Sequence, residues 1–228
     1  MEQRAMSCQA LALSLLGFVL SGAGCQGPAA PVEYEWATTL AGSDGVTIDA
    51  LLVDRQGYLY VVGNTQGDFV KFGSTTLKGT GAFLACTDPD GALRYITKLD
   101  HRATAATLSP GGTTLTTAGV WDVVNNEAPL IIIQYDMSPS GLNRRWMRAI
   151  DFPHGGWASD IAADSAGSVY VTGYFNQTVD FGGGNFDGGS AGAGFVASYD
   201  LRGTHRWSKQ PGGTTSVARA DGVAWVFG

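Results

Sequence analysis

The sequence predicts an all-β fold: a β-propeller of four-stranded antiparallel blades, with about three complete blades and a partial end blade. Three observations predict it. The 228 residues include 33 glycines but only 15% charged side chains. Thr, Val, Tyr and Phe are plentiful, a balance that suits short strands joined by tight turns. Gly63, Gly119, Gly173 and Gly228 each close a β-type run, namely YLYVVG, TTLTTAG, SVYVTG and VAWVFG, at spacings of 56, 54 and 55 residues. A unit of that length holds four strands with their turns, as a propeller blade does.

The elements can be assigned in order along one unit. IDALLVD, from Ile48, is a near-continuous apolar run and predicts an inner strand buried on both faces. DRQG follows with Asp first and Gly fourth, the residues a type I turn prefers there. YLYVVG is the second strand, and a polar, glycine-rich connection leads to AFLACTD, the third. DPDG turns the chain again into ALRYITKLD, an alternating and more polar fourth strand. In the second unit SPGG and SPSG take the turns, PLIIIQYD is the third strand and GLNRRWMRAI the fourth. In the third unit DSAG and DLRG flank SVYVTG and GFVASYD, and GTHRWSKQ closes the blade. The expected blades are therefore 44–99, 103–149 and 157–209, with a partial blade at 214–228 within a repeat region of 33–228.

Each fourth strand carries one aromatic near its middle: Tyr95, Trp146 and Trp207. Trp36, in VEYEWATTLAG, matches them and predicts a lone fourth strand at 33–41. Large rings recurring at one place in a repeat are expected to pack between sheets. These four rings, with Gly63, Gly119 and Gly173, are the expected structural residues.

The first 25 residues, MEQRAMSCQALALSLLGFVLSGAGC, have one Arg near the start, an apolar run over 10–20 and small residues before Cys25. Such a run is too short to cross a ~30 Å hydrocarbon core but suits a signal-peptide core. The small residues before Cys25 resemble a bacterial lipobox, although Gly22 stands where Leu is usual. The expectation is a lipoprotein-type signal over 1–24, lipid attachment at Cys25 and a Pro/Ala spacer over 25–32, with plain secretion as the alternative. With Cys8 removed and Cys25 acylated, Cys86 is the one thiol left, so no internal disulfide is expected.

Runs such as DSAGSVYVTGYF, TVDFGGG, and FVASYD followed by GTHRWSK resemble the SBBP repeats of bacterial β-propellers, which are abundant in exported proteins and lipoproteins of myxobacteria. The likeness runs from Val32 to Gly228 and is strongest in the third unit, good in the first and weakest in the second. It implies four-stranded blades, an N-terminal strand that completes the last blade, and no fixed catalytic residues. Such propellers have six or seven blades, and three complete units form only an arc. Uncovered end faces would forgo burial comparable to the net stability of a domain. Either other blades or another copy cover them, or the chain is a truncated product, which is the favoured expectation.

A formal net charge of −6 and one basic cluster, Arg144, Arg145 and Arg148, exclude a nucleic-acid binder that works by electrostatics. DFGGGNFDGGSAGAG, from Asp180, resembles one imperfect calcium-binding nonapeptide repeat, with Asp187 as a ligand, but a flexible glycine loop explains it as well. Asp88 and Asp90 in TDPDG are spaced like the start of a calcium loop, yet a hairpin turn accounts for both carboxylates. These three are weak metal candidates, and no cofactor is expected. His101, His154 and His205 show no metal-ligand spacing, and after the signal only Glu33, Glu35 and Glu127 remain as glutamates. Cys86, in an apolar strand, is expected to be an inert buried thiol.

The sequence therefore predicts an exported, lipid-anchored propeller that is no enzyme and presents loops to a protein or glycan ligand at the cell surface. The competing readings are a propeller enzyme, such as a metal-dependent hydrolase or quinone-cofactor dehydrogenase, and a gene fragment without its own function.

Overall fold

The computed structural model describes residues 36–120, 129–138 and 141–211. The described residues are all β, without a helix. The first unit runs β1 (Leu40–Gly42), β2 (Val46–Val53), β3 (Leu59–Thr65), β4 (Phe69–Phe72), β5 (Thr75–Lys78), β6 (Gly81–Thr87) and β7 (Leu93–Lys98). The second is β8 (Arg102–Leu108), β9 (Thr114–Val120), β10 (Leu130–Ser138) and β11 (Gly141–Ile150). The third is β12 (Gly156–Ala163), β13 (Val169–Phe175), β14 (Thr178–Asp180), β15 (Asn185–Asp187), β16 (Ala193–Tyr199) and β17 (His205–Lys209). Three four-stranded antiparallel sheets result, ordered β2-β3-β6-β7, β8-β9-β10-β11 and β12-β13-β16-β17. Their first strands pack alongside one another, β2 against β8 and β8 against β12. The predicted fold class is the observed one.

Side-chain alternation decides which core each strand feeds. In β10, Ile131 and Ile133 face the first blade and pack with Val62 and Leu84. Their neighbours Leu130 and Ile132 face the third blade and pack with Val171 and Phe195. Each such side chain, removed from water, contributes about 1.5–3 kcal/mol, so two cores hold three blades in a row. A third core lies under the hairpin β4–β5, where Val70 and Phe72 cover Val61, Phe83 and Ala85.

The recurrent glycines have a specific cause. Each inner strand carries a β-bulge, at Asp49, Thr104 and Ser159, and Gly63, Gly119 and Gly173 lie opposite the residue before it. A Cβ on Gly63, Gly119 or Gly173 would fall on the carbonyl oxygen of Thr47, Arg102 or Trp157 respectively. The bulge also turns a carbonyl toward the preceding blade. Asn64 Nδ2 donates to Ala103 O at 2.7 Å, and Thr104 Oγ1 donates to Ala158 O at 3.2 Å. Ser159 Oγ, at the same place in β12, is buried without a partner among the described residues.

Three expectations need correction. β2 is not buried on both faces: its burial alternates, and Leu51 and Val53 are exposed, because it is the inner edge of its sheet. The near-continuous burial falls on the middle strands, β3 and β6, β9 and β10, and β13 and β16. The glycine-rich connection after β13 is no flexible loop but the hairpin β14–β15. Phe181 at its turn is buried and stacks on Phe195, with ring centroids 4.5 Å apart. Of the lone fourth strand expected at 33–41, residues 36–39 lie in no strand, and β1 pairs with β4 in a three-stranded sheet with β5. Residues 33–35, the signal, Cys25, the spacer and the partial blade at 214–228 lie outside the described residues.

Because Gly119 has backbone on its open side, Gly119→Ala is expected to destabilise the protein by about 1–3 kcal/mol, the usual cost of over-packing a close contact. Ala at the open position Gly111 is expected to leave the urea midpoint almost unchanged. Equal midpoints for the two variants would refute this account of the glycine repeat.

Candidate functional site

The turns that join strands one to two and three to four lie at one end of the blades, and aspartates lock them. In the turn starting at Asp164, Gly167 N donates to Asp164 O at 3.1 Å and Asp164 N to Ser168 O at 2.9 Å. The carboxylate closes the loop, Oδ1 accepting from Ala166 N at 2.9 Å and Ser168 N at 2.8 Å. Asp54 accepts from Gln56 N and Tyr58 N in the same way, and Asp200 from Arg202 N and Thr204 N. The second oxygen of each first-turn aspartate takes a tyrosine: Tyr60 OH donates to Asp54 Oδ2 at 3.1 Å, and Tyr170 OH to Asp164 Oδ2 at 2.9 Å. Burial pulls the Asp164 carboxyl upward, but its hydrogen bonds outweigh burial and hold it below the usual carboxylate range. The second unit substitutes Ser109, whose hydroxyl accepts from Thr114 N at 3.1 Å.

The fourth strands add an arginine that sequence reasoning missed. Arg94, Arg145 and Arg206 are each the unpaired bulge residue directly before the aromatic Tyr95, Trp146 or Trp207. The repeated dipeptides RY, RW and RW were the available signal. In the second blade Gln134 Oε1 accepts from Arg145 at 3.3 Å and from Trp146 Nε1 at 3.1 Å, and Arg145 also pairs with Asp136. In the third, Arg206 donates to Ser168 Oγ at 3.0 Å and Tyr170 OH at 3.4 Å.

The aromatics sit at this turn-bearing rim, not in the deep core. Trp146 lies over the left-handed Gly203 of the next blade, where a Cβ would come within 2.8 Å of the indole. Trp36 lies over Gly91 of the first blade in the same manner, and its Nε1 donates to Pro89 O at 3.1 Å. Trp36 and Trp146 are half-buried, and Trp207 is 38% exposed. A glycine is required at both turns, for its positive φ (+80° and +78°) and for the ring above it.

Between the first and second blades this rim opens into a cavity of about 210 Å³. Tyr58, Tyr60, Tyr95, Cys86, Asp54 and Arg94 line it from the first blade, and Met137 and Ser138 from the second. Burial, with the neighbouring Cys86 and Asp54, raises the Tyr60 phenol. Burial likewise lifts the Cys86 thiol to about 11 and the Tyr95 phenol to about 12. At neutral pH all three are uncharged donors, and Cys86 is a poor nucleophile.

The weak metal candidates are not brought together. Asp88 Oδ1 accepts from Ala92 N at 2.9 Å inside its turn, Asp90 is exposed, and Asp187 Oδ1 accepts from Gly189 N at 2.8 Å. Among the described residues no three His, Cys, Asp or Glu side chains cluster in a way that could hold a metal ion. His101 is buried between the first two blades with both ring nitrogens unpartnered among the described residues, and burial lowers its pKa to about 4. His154 is exposed, and His205 packs edge-on to Tyr199.

A family model for the SBBP beta-propeller repeat matches residues 35–69. The match lies in the first unit, where the sequence likeness was good, and not in the third, where it was strongest. No curated protein matches the chain. Among solved structures, a gluconolactonase from Xanthomonas campestris is 16% identical with a TM-score of 0.42, covering 80% of this chain. The chain spans about half the length of that structure, 54%. The sequence reading expected no enzyme, whereas this neighbour is a gluconolactonase. Neither activity nor site residues transfer at that likeness.

Two outcomes test the site as described. Tyr170→Phe leaves Asp164 Oδ2 without its phenol donor and is expected to cost about 1–2 kcal/mol in urea unfolding at neutral pH. No loss would remove the lock. His101 has a folded pKa below its unfolded value, so its contribution is complete above the unfolded value and falls as pH drops from about 6.5 toward 4. Thermal melts are expected to show that decline in wild type and a flatter profile in His101→Phe; identical profiles would contradict the assignment.

Proposed function

We propose that the chain is an exported repeat protein, held at the cell surface by a lipid on Cys25, whose blades present their turn-bearing end for binding. The structural observation that carries the binding part is the set of side-chain-locked turns, by aspartate in the first and third blades and by serine in the second, which fixes one end of each blade while leaving its outward side chains free to vary. The export part rests on the apolar run over 10–20 and the small residues before Cys25. The Pro/Ala spacer at 25–32 supplies the reach that lifts the folded part from the bilayer. On this reading the partners are the membrane, through the acyl chain, and a protein or glycan ligand.

Radiolabelled palmitate is expected to enter the protein in a bacterial host and to be absent from Cys25→Ala. Protease added to intact cells is expected to degrade the wild type. Label that persists in the variant would move the anchor elsewhere, and full protection from protease would rule out surface display.

A further inference from the structure

The three bulge arginines are equivalent in position, yet only two are satisfied by the protein. Arg145 is held by Gln134 and Asp136, and Arg206 by Ser168 and Tyr170. Arg94 has no hydrogen-bond or ion-pair partner among the described residues, and it lines the cavity between the first two blades. Against the third blade, Tyr58 stands where Ser168 accepts from Arg206; against the second, the difference traces to one position on the third strand. Gln134, which supplies the acceptor in the second blade, is replaced in the first by Cys86, opposite Tyr60 and Tyr95. A thiol is smaller than a carboxamide and is a weak acceptor, so the exchange leaves both a space and an unspent guanidinium.

The geometry points to this cavity as a binding site for a small aromatic monocarboxylate, with Arg94 anchoring the carboxylate. A guanidinium matches a carboxylate with two parallel hydrogen bonds. Tyr58, Tyr60 and Tyr95 supply ring faces and edges for a flat body, and the Met137 thioether adds a polarisable contact. Asp54 shares no hydrogen bond or ion pair with Arg94 among the described residues, and its two oxygens accept from Gln56 N, Tyr58 N and Tyr60 OH. One arginine beside that carboxylate suits a single negative charge and disfavours di- or triphosphates. The cavity volume, about 210 Å³, falls below the ~300–1,000 Å³ of drug-sized sites and limits the body to roughly one ring.

The assignment goes beyond the proposed function, whose ligand is a protein or glycan, and does not depend on the anchor at Cys25. It is tested by calorimetric titration of the full chain with 4-hydroxyphenylacetate, with 4-hydroxyphenylacetamide as the uncharged control. Saturable 1:1 binding is expected for the acid, with the amide weaker by roughly tenfold or more, as loss of a charge-assisted pair implies. Arg94→Gln is expected to bind acid and amide alike, while Arg206→Gln retains the wild-type preference. Cys86→Gln supplies the acceptor that Gln134 gives Arg145 and is expected to abolish acid binding. Thermal melts confirm that each variant is folded. No saturable binding in the millimolar range, equal binding of acid and amide by wild type, or undiminished preference in Arg94→Gln or Cys86→Gln overturns the assignment. Failure here with palmitate labelling intact would leave surface display standing.

Discussion

The arrangement depends on the close approach of each inner strand to the glycine that faces it. That approach accommodates the bulge, and the bulge points a backbone carbonyl at the preceding blade, where Asn64 or Thr104 receives it. Apolar packing alone is tolerant of sliding, since isoleucine on isoleucine is almost as favourable a residue away. A buried hydrogen bond is not, because a shift of one residue would leave a carbonyl without its donor. The bulge contacts thus fix how far one blade is displaced along the next. That displacement in turn brings Trp146 over Gly203 and sets Met137 opposite Tyr95.

Within a blade, the turn-bearing end is held by local chemistry that needs no neighbour. One carboxylate accepts backbone donors across its turn and a phenol from the strand that leaves it, so sheet and turn are joined through a single side chain. The second blade departs from this pattern, with Ser109 and Thr116 where the others have aspartate and tyrosine. It compensates on the third strand, where Gln134 reaches Thr116 on one side and Arg145 and Trp146 on the other. Two solutions to the same satisfaction problem stand side by side.

Much of the fold was legible because period and punctuation coincide: runs of four to eight β-type residues, aspartate-to-glycine turns, and a glycine every 55 residues or so. What the sequence hid was distance. Nothing in IDALLVD announces an edge position, and its apolar residues serve different cores because a bulge at Asp49 reverses their facing. Nor could composition distinguish a flexible glycine loop from a hairpin that drives Phe181 into the core; that depends on Phe195 and Phe175, which arrive from other strands. Of the candidate site, the aromatics were visible and the cavity was not. Arg94 reads as one more surface cation until it is aligned with Arg145 and Arg206 and found to lack what they have.

The division of β10 between two cores has a mechanical meaning. Leu130 and Ile132 grip one neighbour while Ile131 and Ile133 grip the other, and among the described residues the outer blades share no apolar cluster. Among the described residues, tension or thermal disorder entering at the first blade therefore reaches the third through the middle blade, by β10 and by β8 and β9, whose side chains are likewise divided between the two cores. The molecule behaves as links in series, as repeat arrays do, and its weakest coupling governs how far a local opening spreads.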